Sequence, residues 1–249
     1  MNLDENSTVL GRLLEELSWV GRTIKNCRNG GRGFENVLTA EVFQALDFLP
    51  RQAFLGAVVA ASSGAAKARE VLRQEIEQAK FTFLPGNFYL IPSSRQHQTG
   101  MAVQPDGLIE SPSCFGLLEA KRIRPSSFLP KQLAREFVLV MREARSRQPL
   151  LWLVLNSAPP VPVQGHGLLE ITDAIELHLE TVLNCAENHN LEKSMLLKQV
   201  NEVICWTTWE TIAKVVLEQN NSIAIPDPSV AACVHRLTDI VIRSVKWHS

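Results

Sequence analysis

Net charge is nearly absent from this sequence. Its 25 Lys and Arg stand against 26 Asp and Glu, a balance of -1 over 249 residues. A general affinity for polyanions is therefore excluded, and any nucleic-acid contact must come from a local patch. Paired cysteines are absent too. Cys27, Cys114, Cys185, Cys205 and Cys233 form no CxxC, and an odd count suits a reduced compartment better than a disulfide framework. Neither His235 with Cys233 nor Cys205 beside Trp206 has metal-ligand spacing. No G-x-x-x-x-G-K-[ST] occurs, so nucleotide hydrolysis by a P-loop is excluded. The longest apolar run, near 54–66, is broken by Ser62, Ser63 and Gly64. It falls short of the ~20 residues that span a bilayer. Asp4 and Glu5 stand where a signal peptide carries basic residues, so the expected location is cytoplasmic, with no membrane partner. There is no internal repeat and no low-complexity segment.

What is present is a change of period along the chain. Leu10, Leu13, Leu14, Leu17 and Trp19 recur at helical spacing over 8–25, and Asn29-Gly30-Gly31 ends that helix. A second helix is expected over 34–49 and a third, alanine-rich, over 50–80. Short β-prone runs follow at 81–84 and 88–91, then strands at 101–109 and 114–123 joined through Ser111-Pro112-Ser113. A helix over 128–145 leads to Leu150–Leu155, six apolar residues that read as a strand buried on both faces. The order implies an α/β fold, a mixed sheet flanked by helices. Pro159, Pro160 and Pro162 mark a connection, after which helices are expected at 168–189, 191–218 and 228–247. The division expected is a core over 1–165 and a helical C-terminal subdomain over 166–249.

The chemistry concentrates in the hairpin. Glu119 and Lys121, two apart on a strand, share a face, while Leu118 and Ala120 face packing. Asp106 opens the partner strand, opposite Glu119. Two carboxylates, the Ala120 carbonyl and waters make the oxygen set that magnesium prefers, with manganese as the alternative. Lys121 beside such an ion could orient water or stabilise charge on a phosphate. Glu110 lies four residues, roughly 13 Å, past Asp106 and is expected in solvent near the turn. Removing one acid from this cluster is expected to relieve repulsion and leave stability intact.

Pro105-Asp106 followed by Glu119-Ala120-Lys121 resembles the signature of the PD-(D/E)xK, restriction-endonuclease-like superfamily. Phe34-Glu35-Asn36-Val37-Leu38-Thr39 resembles its first core helix, which implies that Glu35 reaches the metal directly or through water. Gln132 stands where exonuclease-type members carry a glutamine, but Glu136 stands where they carry a tyrosine, a departure from that subgroup. The resemblance covers about 34–155. It implies a metal-dependent nuclease acting on DNA, of the kind found in prokaryotic defence or repair, with Asp106, Glu119, Lys121, Glu35 and Gln132 as catalytic residues.

Charge is uneven around these residues. From Lys121 to Arg147 eight bases meet two acids, whereas eleven acids meet six bases over 168–249. Arg28, Arg32, Arg122, Arg124, Lys131 and Arg135 are the candidate phosphate contacts. The acidic tail suits protein contacts, with a homodimer or partner protein held by the C-terminal helices and Trp206 and Trp209 in helix packing or at that interface. A second reading stays open: Glu119 and Lys121 as a mere surface couple, on a binding or scaffold protein of this fold that acts through its helical tail.

Overall fold

The computed structural model describes residues 34–91, 100–123, 126–186 and 192–248. The helix expected over 8–25, together with Arg28, Arg32, Arg124 and the polar run 95–98, lies outside them.

The first helix, α1 (Phe34–Phe48), falls where its apolar spacing places it. The alanine-rich stretch divides into α2 (Leu55–Ala61) and α3 (Ala66–Gln74), with the two-residue strand β1 (Ser63–Gly64) between them. Gly64 explains the break. Its φ is +80°, and a Cβ there would lie 2.2 Å from the carbonyl oxygen of Ile204. Then come β2 (Lys80–Phe83), β3 (Phe88–Ile91), β4 (Met101–Val103), β5 (Gly107–Glu110), β6 (Cys114–Ala120), α4 (Gln132–Ala144) and β7 (Gln148–Leu155). The single strand expected over 101–109 is two, because β4 leaves the main sheet to pair with β3.

The last third of the chain is not the purely helical unit its periodicity suggested. After a small hairpin, β8 (Val161–Val163) and β9 (Gly167–Leu169), run α5 (Ile171–Cys185), α6 (Lys193–Val203), β10 (Ile204–Thr208), α7 (Trp209–Ser222) and α8 (Pro228–His248). The strand β10 adds to the main sheet, parallel to β7. Its sequence, Ile204-Cys205-Trp206-Thr207-Thr208, is rich in β-branched and aromatic residues, but no Gly or Pro sets it off from the helices beside it.

The main sheet runs β1-β10-β7-β6-β5-β2. Its centre, β10, β7 and β6, is parallel, and the pairs β6–β5, β5–β2 and β10–β1 are antiparallel. The strand β7 is covered on both faces, as its unbroken apolar run predicts. Leu150, Trp152 and Val154 enter a core with α1, α2, α3, α7 and α8. Leu151, Leu153 and Leu155 enter a second core with α4, α5 and α6. Residues on both sides of position 165 fill both cores.

Cys114 and Cys205 lie in the first core, and burial pushes both thiols up to about 12. Cys233 is exposed. Since the thiolate is the nucleophile, N-ethylmaleimide at pH 8 should modify Cys233 in the native protein, and Cys114 and Cys205 only after denaturation. Peptide mass mapping would read this, and equal native labelling of all three would contradict the packing. Among the described residues no helix is long and apolar enough to cross a membrane.

Candidate functional site

The register of β5 with β6 pairs Gly107 with Leu118. Carried one residue further, it sets Asp106 against Glu119, as the hairpin reading requires. Asp106 closes this arrangement itself: its Oδ2 accepts the Ala120 N–H at 2.7 Å. Alternation along β6 then sorts the motif. Leu118 and Ala120 enter the core with α1, and Glu119 and Lys121 project toward α4.

Glu119 and Lys121 are both buried, 3% and 9% exposed, which rules out an exposed couple. The Lys121 Nζ donates to Glu119 Oε1 at 2.8 Å and to Gln132 Oε1 at 3.3 Å. The Gln132 amide nitrogen donates to the same Glu119 oxygen at 2.5 Å. The ammonium also sits 4.7 Å from the centre of the Phe128 ring, a favourable placement for a desolvated cation. From beneath, Trp209 Nε1 donates to the Lys121 carbonyl oxygen at 2.6 Å, and the Lys121 N–H bonds Val154 O.

Glu119, Lys121 and Gln132 are thus joined directly by side-chain hydrogen bonds, and Asp106 is tied to the same strand end through the Ala120 N–H. Glu35 lies in the first turn of α1, with its side chain outside the described part. Among the described residues no group of three His, Cys, Asp or Glu is close enough to hold a metal ion. The donors at hand are carboxylates and a backbone carbonyl with no sulfur or imidazole, which fits a hard cation such as magnesium.

Two residues emerge that the motif reading passed over. Trp209 opens the helix α7 and is buried in its packing, as expected, whereas Trp206, expected on the same helix, is a half-buried strand residue. The contact of Trp209 with Lys121 spans 88 residues, so no local pattern could signal it. Glu136 could have been found, since it lies one helical turn past Gln132 and therefore on the same face. It is 1% exposed, and its Oε2 has no hydrogen-bond partner. Burial first, and then the Glu119 charge, hold its carboxyl well above the usual carboxylate range.

The folded chain therefore keeps a proton on Glu136 at pH values where the unfolded chain has lost it. Stability contributed by that group falls as pH rises past the ordinary value of 4.5. Glu136→Gln should stabilise the metal-free protein at pH 8 by on the order of 1–3 kcal/mol. That raises Tm by at least about 2–4 °C, and the gain should shrink as pH approaches 4.5. Calorimetry in chelator across this range is the check, and a difference independent of pH would contradict the assignment.

The surrounding basic residues divide by use. Arg142 is occupied by Glu143 and the carbonyls of Tyr89 and Leu90. Arg147 pairs with Glu110 at 3.1 Å and lies over the Phe115 ring, so Glu110 is a paired group and not the solvated one expected. Lys131 is exposed, and Arg122 and Arg135 are half-buried. No protein-family model, curated protein or solved structure matches this chain.

Proposed function

We propose that the chain is a metal-dependent nuclease of the restriction-endonuclease-like class that hydrolyses DNA phosphodiester bonds. The observation that carries the reading is the convergence of Asp106, Glu119, Lys121 and Gln132 at one end of β5 and β6. Asp106, Glu119 and the Ala120 carbonyl would hold magnesium or manganese, with Glu35 as the further candidate. When bound, the ion supplies Lewis-acid polarisation of a phosphoryl oxygen. Glu119 and Gln132 fix the Lys121 ammonium, which orients the attacking water or stabilises charge developing on the phosphate. Of the candidate phosphate contacts, Lys131, Arg122 and Arg135 are the ones that fall among the described residues. A role in prokaryotic defence or repair follows by analogy of class alone.

Plasmid and single-stranded DNA incubated with magnesium, with manganese and with chelator provide the test. Cleavage only with the cation is expected, and equal cleavage in chelator would overturn the reading. A non-catalytic protein of the same fold is the second reading, favoured by the closed Glu119–Lys121 pair and by the lack of a three-ligand group among the described residues. It would work through the C-terminal helices, where Met195, Leu217, Val230, Ile240 and Trp247 are exposed. Self-association through that surface into a homodimer is compatible with either reading, and light scattering would measure it.

A further inference from the structure

The helix α8 carries two apolar lines, and the core takes up one of them. Val234, Val241 and Val245 enter the first core, where α8 packs on α1 and α7. Val230, Cys233, Leu237 and Ile240 form the second line, and their alternating spacing of three and four residues keeps them on one side of the helix. Val230, Cys233 and Ile240 are exposed, and Leu237 is half-buried. The line borders a groove of about 710 Å³ between α8 and the end of α1, whose walls include Phe48, Arg51, Glu77, Val230, Cys233 and Leu237. Phe48 on its rim is 67% exposed. An apolar line facing water along a groove marks a contact surface. Two features say what fits it. The spacing reads the same from either end, so an antiparallel copy of α8 presents the same line in register. Val230 is then level with the partner's Ile240, and Cys233 with the partner's Leu237. Charge follows the same symmetry. Glu77 and Asp227 stand at the N-terminal end of the line, where Asp47 is already paired with Arg51. Arg236 and Arg243 flank it further along, one helical turn past Cys233 and Ile240, and Arg243 is tied to an exposed Asp239 at 3.4 Å. An antiparallel copy sets these acids against arginines, with Asp227 level with the partner's Arg243.

We propose that this groove is an isologous interface between two copies of the chain, built on antiparallel packing of α8 against α8 with Phe48 closing each end. It stands apart from both readings of the site and depends on neither. The line from Val230 to Ile240 covers roughly 15 Å of helix, a small contact, so the dimer is weak and dissociates on dilution. Cys233 lies near the dyad, offset from its twin by about 6 Å along the helix axis.

Sedimentation velocity of the full chain from about 1 to 200 μM is the test, the range in which a small interface associates. A monomer–dimer equilibrium is expected. Ile240→Glu and Phe48→Ser should each raise the dissociation constant about tenfold or more. Arg243→Glu, which sets an acid against Asp227, should raise it several-fold. All three positions are exposed, so the variants should keep the wild-type Tm at the dilute end. A short bismaleimide should join Cys233 to Cys233 in the wild-type dimer, as read by peptide mapping, and should fail to do so in Ile240→Glu. A chain that stays monomeric across the range overturns the proposal. Protection of Cys233 from maleimide in that monomer would give the groove to another segment of the chain, and ready reaction would leave it uncovered. A dimer indifferent to all three variants, or linked through a different cysteine, overturns it as well.

Discussion

Asp106→Asn should reduce cation-dependent DNA cleavage by about a thousandfold or more while leaving the fold intact. Loss of one carboxylate from the ion's ligands forfeits several kcal/mol of charge stabilisation, and each 1.36 kcal/mol is a factor of ten in rate. The amide keeps an oxygen for the Ala120 N–H, which Asp106→Ala would leave without its acceptor. Glu119 needs the same care. The expectation that removing either acid would merely relieve repulsion does not survive the geometry, because Glu119 is buried against the Lys121 ammonium at 2.8 Å. Glu119→Ala strands a buried cation, a change that costs about 3–5 kcal/mol where no relaxation intervenes. Glu119→Gln tests the chemistry with less disturbance and should abolish cleavage likewise. Lys121→Ala should retain cation binding and lose about a hundredfold to a thousandfold in rate, the scale of removing one charge-stabilising donor. Single-turnover cleavage and calorimetric titration of manganese separate these effects. Activity that survives all three substitutions would remove this site from consideration.

The local part of this geometry was legible because it rests on period alone. Glu119 and Lys121 share a face through strand alternation, and a short hairpin leaves few registers for Asp106. The buried strand β7 declared itself by six apolar residues in succession. What stayed hidden depends on contacts far apart in the chain. The strand β10 carries no local punctuation, and its place beside β7 follows from pairing with residues more than fifty positions earlier. Glu136 read as a departure from a family pattern, and only the packing of α4 over β6 reveals it as a buried acid facing Glu119. Arg142 and Arg147 counted toward a basic segment, yet carbonyl and carboxylate partners hold them in structural duty. Net charge by segment cannot separate those roles.

Trp209→Ala should be the most destabilising substitution in the C-terminal third. The indole is 1% exposed, and its ring meets Phe43 of α1 edge to face at 6.4 Å. Truncating a buried tryptophan to alanine costs about 3–5 kcal/mol through lost contacts and the cavity left behind. At about 2–4 °C per kcal/mol for a chain of this size, Tm should fall by roughly 6–20 °C. A second consequence separates this residue from ordinary core. Its Nε1–H bonds the carbonyl of Lys121, tying α7 to the backbone that carries the motif lysine. Trp209→Phe keeps most of the ring and deletes only that donor, so its stability loss should be smaller, near the ~1 kcal/mol of a single hydrogen bond plus some packing. If the bond also positions Lys121, Trp209→Phe should lower the cleavage rate about tenfold at a temperature where the protein is fully folded, with substrate affinity unchanged. Thermal unfolding and kcat against KM, measured on both variants, distinguish the outcomes. A phenylalanine variant with full activity would make Trp209 a packing residue alone, and an alanine variant as stable as wild type would contradict the burial itself.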